Sequence, residues 1–379
     1  MFNKTVLSHI FSACIVLILA ISLVFAQTEK PLTDKETIKA DVELQPFAYN
    51  NLWGFLDSNK KAVIAPKFEF VSFFRGDLAL AKTKGKFGFI NKMGQWVIKP
   101  QFDDARDFSE NLAAVKVDGK YAFIDNFGQF IIEAKFDMAT YFEEGLAPVK
   151  FNDKYGFIDK SGEFVIEPKF DLAGGFIKGI AQASIDYKCG LIDKSGNFIV
   201  EPRFIYINGM SEDGQLIRVG LDSKQTGFID PSGNFVINST FEDALWFSEG
   251  LAAVKVNDKY GFINEKGEMV IAPKFDKAWY FSEGLAAVKF RGKLGYIDKT
   301  GQFVIKAQFN ELLTAFSDGL APIKINEKYG YIDKTGQIVI DAIFDHAIYF
   351  GKGLCSNQIN GKWVSFTTTG QMLGKNGLE

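Results

Sequence analysis

The chain has 379 residues, of which 47% are hydrophobic and 15% aromatic, including 39 Phe, so it has ample apolar surface for a large core. Its formal net charge is −3, which excludes a strong basic field for nucleic acid. The sequence contains no phosphate-binding loop, Cys-x-x-Cys pair or nucleic-acid motif.

Residues 1–26 have the pattern of a secretory signal peptide. Lys4 supplies a positive charge, Ile10–Phe25 is almost wholly apolar, and Val24–Ala26 fits a small-residue cleavage site. An uncleaved membrane anchor is the alternative, but the run from Ile10 to Ala26 spans only ~26 Å as a helix, against ~30 Å of hydrocarbon. We therefore expect an exported protein that is periplasmic, attached to the cell surface or extracellular.

Residues 27–43 are polar and charged and are predicted to form a linker, and residues 44–379 a single array of about ten repeats. One glycine recurs every 34 residues, with 37 residues before Gly227 and 35 before Gly330, and Ala122 and Val364 take its place in two further copies. The recurring glycines are Gly54, Gly88, Gly156, Gly190, Gly227, Gly261, Gly295 and Gly330. An apolar Leu or Ile and a Phe keep the same phase, which predicts a continuous core through stacked copies.

The copy Leu251–Gly284 shows how one unit folds. Alternation over Leu251–Val256 predicts a half-buried strand, followed by strands at Tyr260–Asn264 and Met269–Ala272 with polar, Gly-containing turns between them. Pro273 lacks a backbone donor, so pairing should end there or lie at a sheet edge. The unit is predicted to be an antiparallel three-stranded meander, and a short fourth strand is left open.

The predicted fold is therefore all-β, an open or superhelical stack of meanders, with a closed propeller-like ring as the alternative. The recurring glycine has two interpretations, a positive φ or the close approach of a neighbouring strand. Ala122 in an otherwise regular copy favours close approach, because alanine tolerates a positive φ poorly. Terminal copies such as that of Val364 are expected to be atypical.

Several segments resemble the bacterial WG (KWG) repeat. They include Trp53–Asp57, Lys86–Ile90, Lys154–Asp159 and Lys328–Asp333, and the likeness covers essentially all of residues 44–370. The tryptophan of the motif is kept at Trp53 but is replaced by other residues in most later copies. The resemblance implies an array of β-repeats that is often exported, and it transfers no catalytic residue, cofactor or ligand.

Candidate chemistry in the array is sparse. His346 lacks a phased partner for nucleophilic catalysis, and its varied polar equivalents predict a solvated face. One Asp recurs at a fixed phase, as in Asp159-Lys160-Ser161-Gly162, where it is expected to cap a turn rather than to act as an acid or bind calcium. Exposed aromatic residues could bind sugars or peptides, although most should pack in the core. The candidates named for this are Trp96, Trp246, Trp279 and Tyr349.

We expect a non-enzymatic binding or scaffold protein without a cofactor, whose partner is a protein, a peptide or a cell-envelope polymer. The alternatives are a glycan hydrolase with two carboxylates and a purely structural spacer. Cys189 and Cys355 occupy apolar phases and are predicted to be free thiols.

A binding site, if discrete, is predicted around Gly174–Thr226, where the repeat pattern is broken and three residues are inserted. A degenerate repeat under weak constraint is the alternative interpretation. The candidate binding residues are Tyr187, Tyr206, Asn208, Glu212, Asp213 and Arg218.

Overall fold

A computed structural model describes residues 43–211, 213–311 and 315–377. The predicted signal peptide and nearly all of the predicted linker lie outside the described residues. Within the described ranges the regular secondary structure is entirely β, and no helix is long and apolar enough to cross a bilayer.

The described ranges contain 36 strands. In chain order the first 19 are β1 (Gln45–Tyr49), β2 (Leu52–Leu56), β3 (Ala62–Phe68), β4 (Phe70–Val71), β5 (Ala79–Thr83), β6 (Lys86–Ile90), β7 (Trp96–Phe102), β8 (Asp104–Ala105), β9 (Ala113–Val117), β10 (Lys120–Ile124), β11 (Phe130–Phe136), β12 (Met138–Ala139), β13 (Ala147–Phe151), β14 (Lys154–Ile158), β15 (Phe164–Phe170), β16 (Leu172–Ala173), β17 (Ala181–Ile185), β18 (Lys188–Ile192) and β19 (Phe198–Phe204). The others are β20 (Tyr206–Met210), β21 (Ile217–Asp222), β22 (Gln225–Ile229), β23 (Phe235–Phe241), β24 (Asp243–Ala244), β25 (Leu251–Val256), β26 (Lys259–Asn264), β27 (Met269–Phe275), β28 (Lys277–Ser282), β29 (Leu285–Phe290), β30 (Lys293–Ile297), β31 (Phe303–Phe309), β32 (Ala321–Ile325), β33 (Lys328–Ile332), β34 (Ile338–Phe344), β35 (Leu354–Ile359) and β36 (Lys362–Thr367).

In the described part of the chain these strands form nine antiparallel sheets, the blades of a β-propeller. Blade 1 has the order β3-β2-β1-β36-β35, and blades 2 to 8 are four-stranded groups that run in sequence from β4–β7 to β28–β31. Blade 9 is β32–β34. The ten phased copies thus occupy nine blades, because the first and last copies share blade 1.

Blade 1 closes the ring. Its strand β1 is hydrogen-bonded to β36, with Tyr49 opposite Val364, and the Ala48 amide donates to Ser365 Oγ at 2.7 Å. The open stack preferred from the sequence is therefore wrong, and the closed ring is correct. Closure is physically favourable because an open array would leave an unpaired strand edge at each end.

The predicted meander is confirmed in blade 7, where the strands are Leu251–Val256, Lys259–Asn264 and Met269–Phe275. The third strand continues past Pro273 and is the edge strand of its sheet, as a proline requires. A fourth strand exists in most copies, but it pairs with the next copy. The chain passes from one sheet to the next directly after the third strand ends at Phe275. The amide of Asp276, the next residue, donates to the Lys289 carbonyl of the following blade at 2.8 Å.

The recurring second-strand glycine is explained by close approach, as predicted. A Cβ at Gly261 would lie 2.8 Å from the nitrogen of Pro273, because the third strand bulges over the glycine. None of the recurring glycines has a positive φ. Val364 is accommodated because in blade 1 it faces Tyr49 of β1 instead of such a bulge.

The core lies between consecutive blades. Phe262, Ile271 and Phe275 of blade 7 pack against Phe281 and Val288 of blade 8. Equivalent clusters join other neighbouring blades, for example blades 2 and 3 and blades 3 and 4. Each unit therefore completes its core with its neighbour, as expected for a repeat protein.

Polar side chains also link neighbouring blades at a fixed phase. Glu249 accepts hydrogen bonds from the Gly284 amide at 3.3 and 3.1 Å and pairs with Lys299 at 3.2 Å. Lys274 donates to the Gly301 carbonyl at 3.3 Å. Much of the charge that the repeat carries is thus used to hold blades together.

The recurring aspartates cap turns, as predicted. Asp159 Oδ1 accepts from the amides of Ser161 at 2.9 Å and Glu163 at 3.2 Å, and Gly162 closes the turn with φ 88°. The hydrogen bond from the Ser161 hydroxyl is the main reason why the pKa of Asp159 lies below its usual value. This carboxylate therefore stabilises the backbone of a turn.

Candidate functional site

Blade 7 shows the regular arrangement against which the candidate site stands out. Asp243, Lys255 and Tyr260 lie side by side in register on three adjacent strands. The Tyr260 hydroxyl donates to Asp243 Oδ2 at 2.7 Å. Burial, followed by this carboxylate, raises the pKa of Tyr260.

Most other blades keep part of this set. A lysine on the first long strand faces an aromatic ring on the second in blades 2, 3, 4, 7 and 9. In blade 3 the Tyr121 hydroxyl donates to Asp104 at 2.5 Å. The lysine–ring pair is thus a repeated structural device.

Blade 6 lacks this pair and holds a tyrosine from a different strand in its place. Gly220 and Thr226 occupy the positions of the lysine and the ring, and Tyr206 lies opposite Gly220. A Cβ at Gly220 would come within 2.5 Å of Tyr206 Cζ, so only glycine leaves room for this ring. The Tyr206 hydroxyl forms a 2.6 Å hydrogen bond with Thr226 Oγ1, and Thr226 is buried.

Arg218 lies over this tyrosine, with its guanidinium carbon 4.9 Å from the centre of the Tyr206 ring. It stands opposite Phe228, at a position where the described blades otherwise carry no charged residue. The residues at this position in other blades are Pro46, Leu80, Ala114, Pro148, Gln182, Ala253, Ala287 and Pro322. Arg218 Nε is buried without a hydrogen-bond partner among the described residues, which is costly for a charged group.

Tyr206 and Arg218 form one wall of a cleft of about 660 Å³ between blades 6 and 7. The cleft is lined by Tyr206, Arg218, Ser223, Lys224, Thr226, Glu242, Asp243, Lys255, Asn257, Asp258 and Tyr260. Its volume is within the usual range for a small-ligand site, and its lining is mostly polar.

On the blade 7 wall the charges are partly paired. Lys255 contacts Asp258 at 2.8 Å and Glu242 at 3.5 Å, and Glu242 accepts from the Asp258 amide at 3.2 Å. The hydrogen bond from Lys255 lowers the pKa of Asp258, and the same bond raises the pKa of Lys255. Both groups are therefore ionised at neutral pH.

Of the six residues predicted from sequence, the structure brings Tyr206 and Arg218 together in the cleft. Asn208 is exposed and pairs in register with Arg218, but it does not line the cleft. Tyr187 is 92% exposed on a hairpin of blade 5, outside the cleft. Glu212 lies outside the described residues.

Asp213 also lies outside the cleft, in the inserted loop that joins β20 to β21. Its Oδ1 accepts from the Ser211 hydroxyl at 2.6 Å and the Gln215 amide at 2.9 Å, while Lys178 of blade 5 donates to its carbonyl at 2.5 Å. The bond from Ser211 is the first cause of its lowered pKa. Asp213 thus caps its own loop.

Sequence reasoning missed the second wall of the cleft, because it lies in the next copy. It also missed Thr226 as a site residue, although a signal was present. That signal is the replacement of the lysine–ring pair by Gly220 and Thr226 in a copy that keeps its apolar core residues.

The other candidates have structural or solvent-facing positions. His346 is exposed and its Nε2 lies 3.1 Å from Gln358 Oε1, as a solvated face predicts. Trp96 packs edge-on against Phe68, whereas Trp246 and Tyr349 are 42% and 38% exposed. Within the described ranges, no group of three or more His, Cys, Asp or Glu side chains could hold a metal ion.

Comparison with known structures supports the ring. A structure described as the eukaryotic initiation factor matches with a TM-score of 0.53 and 11% identity, over 79% of this chain and 96% of that one. BamB from Moraxella catarrhalis (TM-score 0.37, 12% identity, 80% and 95% coverage) and Citrobacter koseri AztD (0.36, 12%, 78% and 94%) are more distant and carry no argument. Likeness at this identity shows the fold alone, and among curated proteins no significant match is found.

The sequence profile of the "WG containing repeat" matches nine consecutive segments of the chain. They are residues 53–87, 87–121, 122–155, 155–189, 190–224, 227–260, 260–293, 295–329 and 329–363. These segments cover most of the chain and follow the blades in phase, so the chain belongs to the WG repeat family.

Proposed function

We propose that this protein is an exported, non-enzymatic binding module, and that its ligand occupies the cleft between blades 6 and 7. The partner is a protein, a peptide or a cell-envelope polymer. Export is proposed from the signal-like residues 1–26. The observation that carries the binding site is Arg218, whose Nε has no hydrogen-bond partner among the described residues and which lines a cleft made by local departures from a regular repeat.

The geometry supports binding better than glycan hydrolysis. A hydrolase of that kind needs one carboxylic acid whose pKa is raised so that it can donate a proton near neutral pH. In the cleft, the hydrogen bond from Lys255 lowers the pKa of Asp258, which keeps this carboxylate ionised. Asp243 accepts a hydrogen bond from the Tyr260 hydroxyl.

The proposal is tested by capture from a cell-envelope extract with the chain from residue 27 as bait. The test variant, Gly220→Lys with Thr226→Tyr, restores the regular lysine–ring pair and removes the space for Tyr206. The control, Leu294→Tyr, completes the lysine–ring pair in blade 8, where Leu294 faces Lys289 away from the cleft.

We expect the first variant to lose the captured partner and the blade 8 variant to retain it. Retention by both variants, with intact folding, would place the ligand elsewhere or leave the ring as a spacer. Turnover of cell-wall glycans that a single acid-to-amide change abolishes would show an enzyme instead.

A further inference from the structure

We infer that the ligand of this cleft is a short zwitterionic peptide whose carboxylate binds Arg218. This inference rests on the proposed function and adds the chemical class of the ligand. It follows from the preorganisation of Arg218 and from the distribution of charge over the two walls.

Arg218 is held ready for a planar anion. Its guanidinium stacks on Tyr206, and that ring is fixed by its hydrogen bond to Thr226 and by the space above Gly220. A guanidinium presents N–H donors in a rigid fork that matches a carboxylate. Arg218 lines the cleft, and no ion pair joins its guanidinium to a carboxylate among the described residues, so a ligand carboxylate would supply the missing counter-charge.

The two walls carry opposite charge. The blade 6 wall carries two positive charges, Arg218 and Lys224. The blade 7 wall carries one positive charge, Lys255, and three negative charges, Glu242, Asp243 and Asp258. A ligand with a carboxylate at one end and an ammonium group at the other matches both walls. A uniformly acidic polymer would be repelled by blade 7, and a neutral glycan would leave Arg218 without a counter-charge.

The size of the cleft agrees with a short peptide. A volume of about 660 Å³ is typical of a site for a ligand larger than one amino acid. The remaining lining groups, Ser223, Asn257 and the hydroxyl groups of Thr226 and Tyr260, are of the kind that pair with peptide N–H and C=O groups.

The test uses four pools of random tripeptides, which combine a free or acetylated amino end with a free or amidated carboxyl end. Binding to the chain from residue 27 is measured by saturation-transfer NMR and titration calorimetry. Arg218→Gln and Arg218→Lys are compared with Arg291→Gln, which removes another arginine stacked on a ring, 5.1 Å from Phe290 in blade 8. Thermal unfolding checks that each variant is folded.

We expect the pool with both ends free to bind best and amidation to weaken binding about tenfold or more, since a hydrogen bond to a charged group is lost. Arg218→Gln should abolish the difference between free and amidated pools, Arg218→Lys should reduce it, and Arg291→Gln should preserve it. Equal binding of free and amidated pools, or no binding of any pool, overturns the peptide inference.

The two proposals fail in different ways. If an oligouronate binds and the peptides do not, the ligand class is wrong while the cleft remains a binding site. If the Gly220→Lys, Thr226→Tyr variant captures partners as well as the unmodified chain does, the cleft itself is wrong.

Discussion

Blades 6 and 7 are neighbours with the same core and different surfaces. The ring of Phe228 in blade 6 lies 4.8 Å from that of Phe247 in blade 7, and the ring of Phe262 in blade 7 lies 5.0 Å from that of Phe281 in blade 8. The third strand of each blade bulges over the second-strand glycine. The departures of blade 6 are therefore confined to its polar face and its inserted loop.

This contrast shows how a repeat can acquire a binding site while its core packing and strand pairing stay the same. In blade 7 a lysine and a ring fill the space between neighbouring strands, and in blade 6 glycine and threonine leave it open for Tyr206 and Arg218. Loss of side-chain volume at two positions in register thus matters more than the added loop. The regular blade beside it then supplies the opposite wall.

The largest expected effect tests whether blades 6 and 7 are equally intolerant of a side chain at the second-strand glycine. Gly227→Val in blade 6 and Gly261→Val in blade 7 should each cost about 3 kcal/mol or more, because the added atoms meet backbone of the bulge. A Cβ at Gly227 would already lie 2.7 Å from the Ile237 carbonyl oxygen. Urea unfolding followed by circular dichroism measures the cost.

Alanine at both positions is the control, since Ala122 shows that one methyl group can be accommodated in blade 3. If Gly227→Val lowered the free energy of unfolding much less than Gly261→Val did, blade 6 would be more tolerant of substitution than blade 7. The differences at its polar face would then be better explained by weak constraint than by a site.

A smaller effect is expected from the hydrogen bonds that distinguish the two faces. Thr226→Val leaves the Tyr206 hydroxyl without its partner and should cost about 1–2 kcal/mol, whereas Tyr260→Phe removes the donor to Asp243 and should cost about 1 kcal/mol. Peptide affinity should fall with Thr226→Val, because Tyr206 no longer holds Arg218. An unchanged affinity would separate Tyr206 from the binding role of Arg218.

A still smaller, pH-dependent effect is expected from an ion pair at the junction of blades 7 and 8. Asp276 Oδ1 lies 2.6 Å from Lys259 Nζ, and the hydrogen bond from Lys259 lowers the pKa of Asp276 from 3.8. Blade 6 has Gln225 in place of this lysine. A lowered folded-state pKa stabilises the protein above the unfolded-state pKa, and this contribution is lost as the pH falls through the folded-state value.

Asp276→Asn should therefore cost about 0.5 kcal/mol at pH 7, as for an exposed ion pair, and progressively less as the pH falls below about 4. Unfolding at pH 7, 5 and 3 measures this, with Asp341→Asn as the control because Asp341 is exposed and forms no ion pair with another described residue. A cost that stayed constant with pH would show that Asp276 acts through packing or its backbone hydrogen bonds.

Most of the unit was predictable because its determinants are local. Alternation placed the strand Leu251–Val256, turn chemistry placed the capping role of Asp159, and Ala122 distinguished close approach from a positive φ. Closure was not predictable, since it depends on small rotations between blades that accumulate around the ring. The pairing of Tyr49 with Val364 joins residues more than 300 positions apart and has no local pattern.

The site was predictable only in part for a related reason. A broken repeat pattern located blade 6, and Tyr206 and Arg218 were among its candidates. The acidic wall was missed because Glu242, Asp243 and Asp258 look like ordinary polar positions in their own copy. They become part of a cleft only because Gly220 and Thr226 replace the larger lysine and ring in the neighbouring copy.

The smallest expected effect concerns Cys189 and Cys355, the two cysteines among the described residues, which the structure confirms as free thiols. Cys189 is 7% exposed in the core between blades 5 and 6, where it contacts the cluster containing Ile207 and Ile217. Cys355 is 2% exposed in blade 1, and burial raises its pKa to about 12. A thiol reacts as its thiolate, which the raised pKa of Cys355 disfavours, and burial keeps the reagent away from both side chains. Neither thiol should therefore react with iodoacetamide in the folded protein.

Mass spectrometry of the peptides containing Cys189 and Cys355 reads each site separately. We expect no labelling of either thiol without denaturant and complete labelling of both in urea. Labelling of Cys189 alone in the folded protein would mean that the core beneath blade 6 opens while that of blade 1 stays closed. A loosely packed blade 6 could not hold Tyr206 and Arg218 in a fixed geometry, so protection of Cys189 is what a preorganised cleft requires.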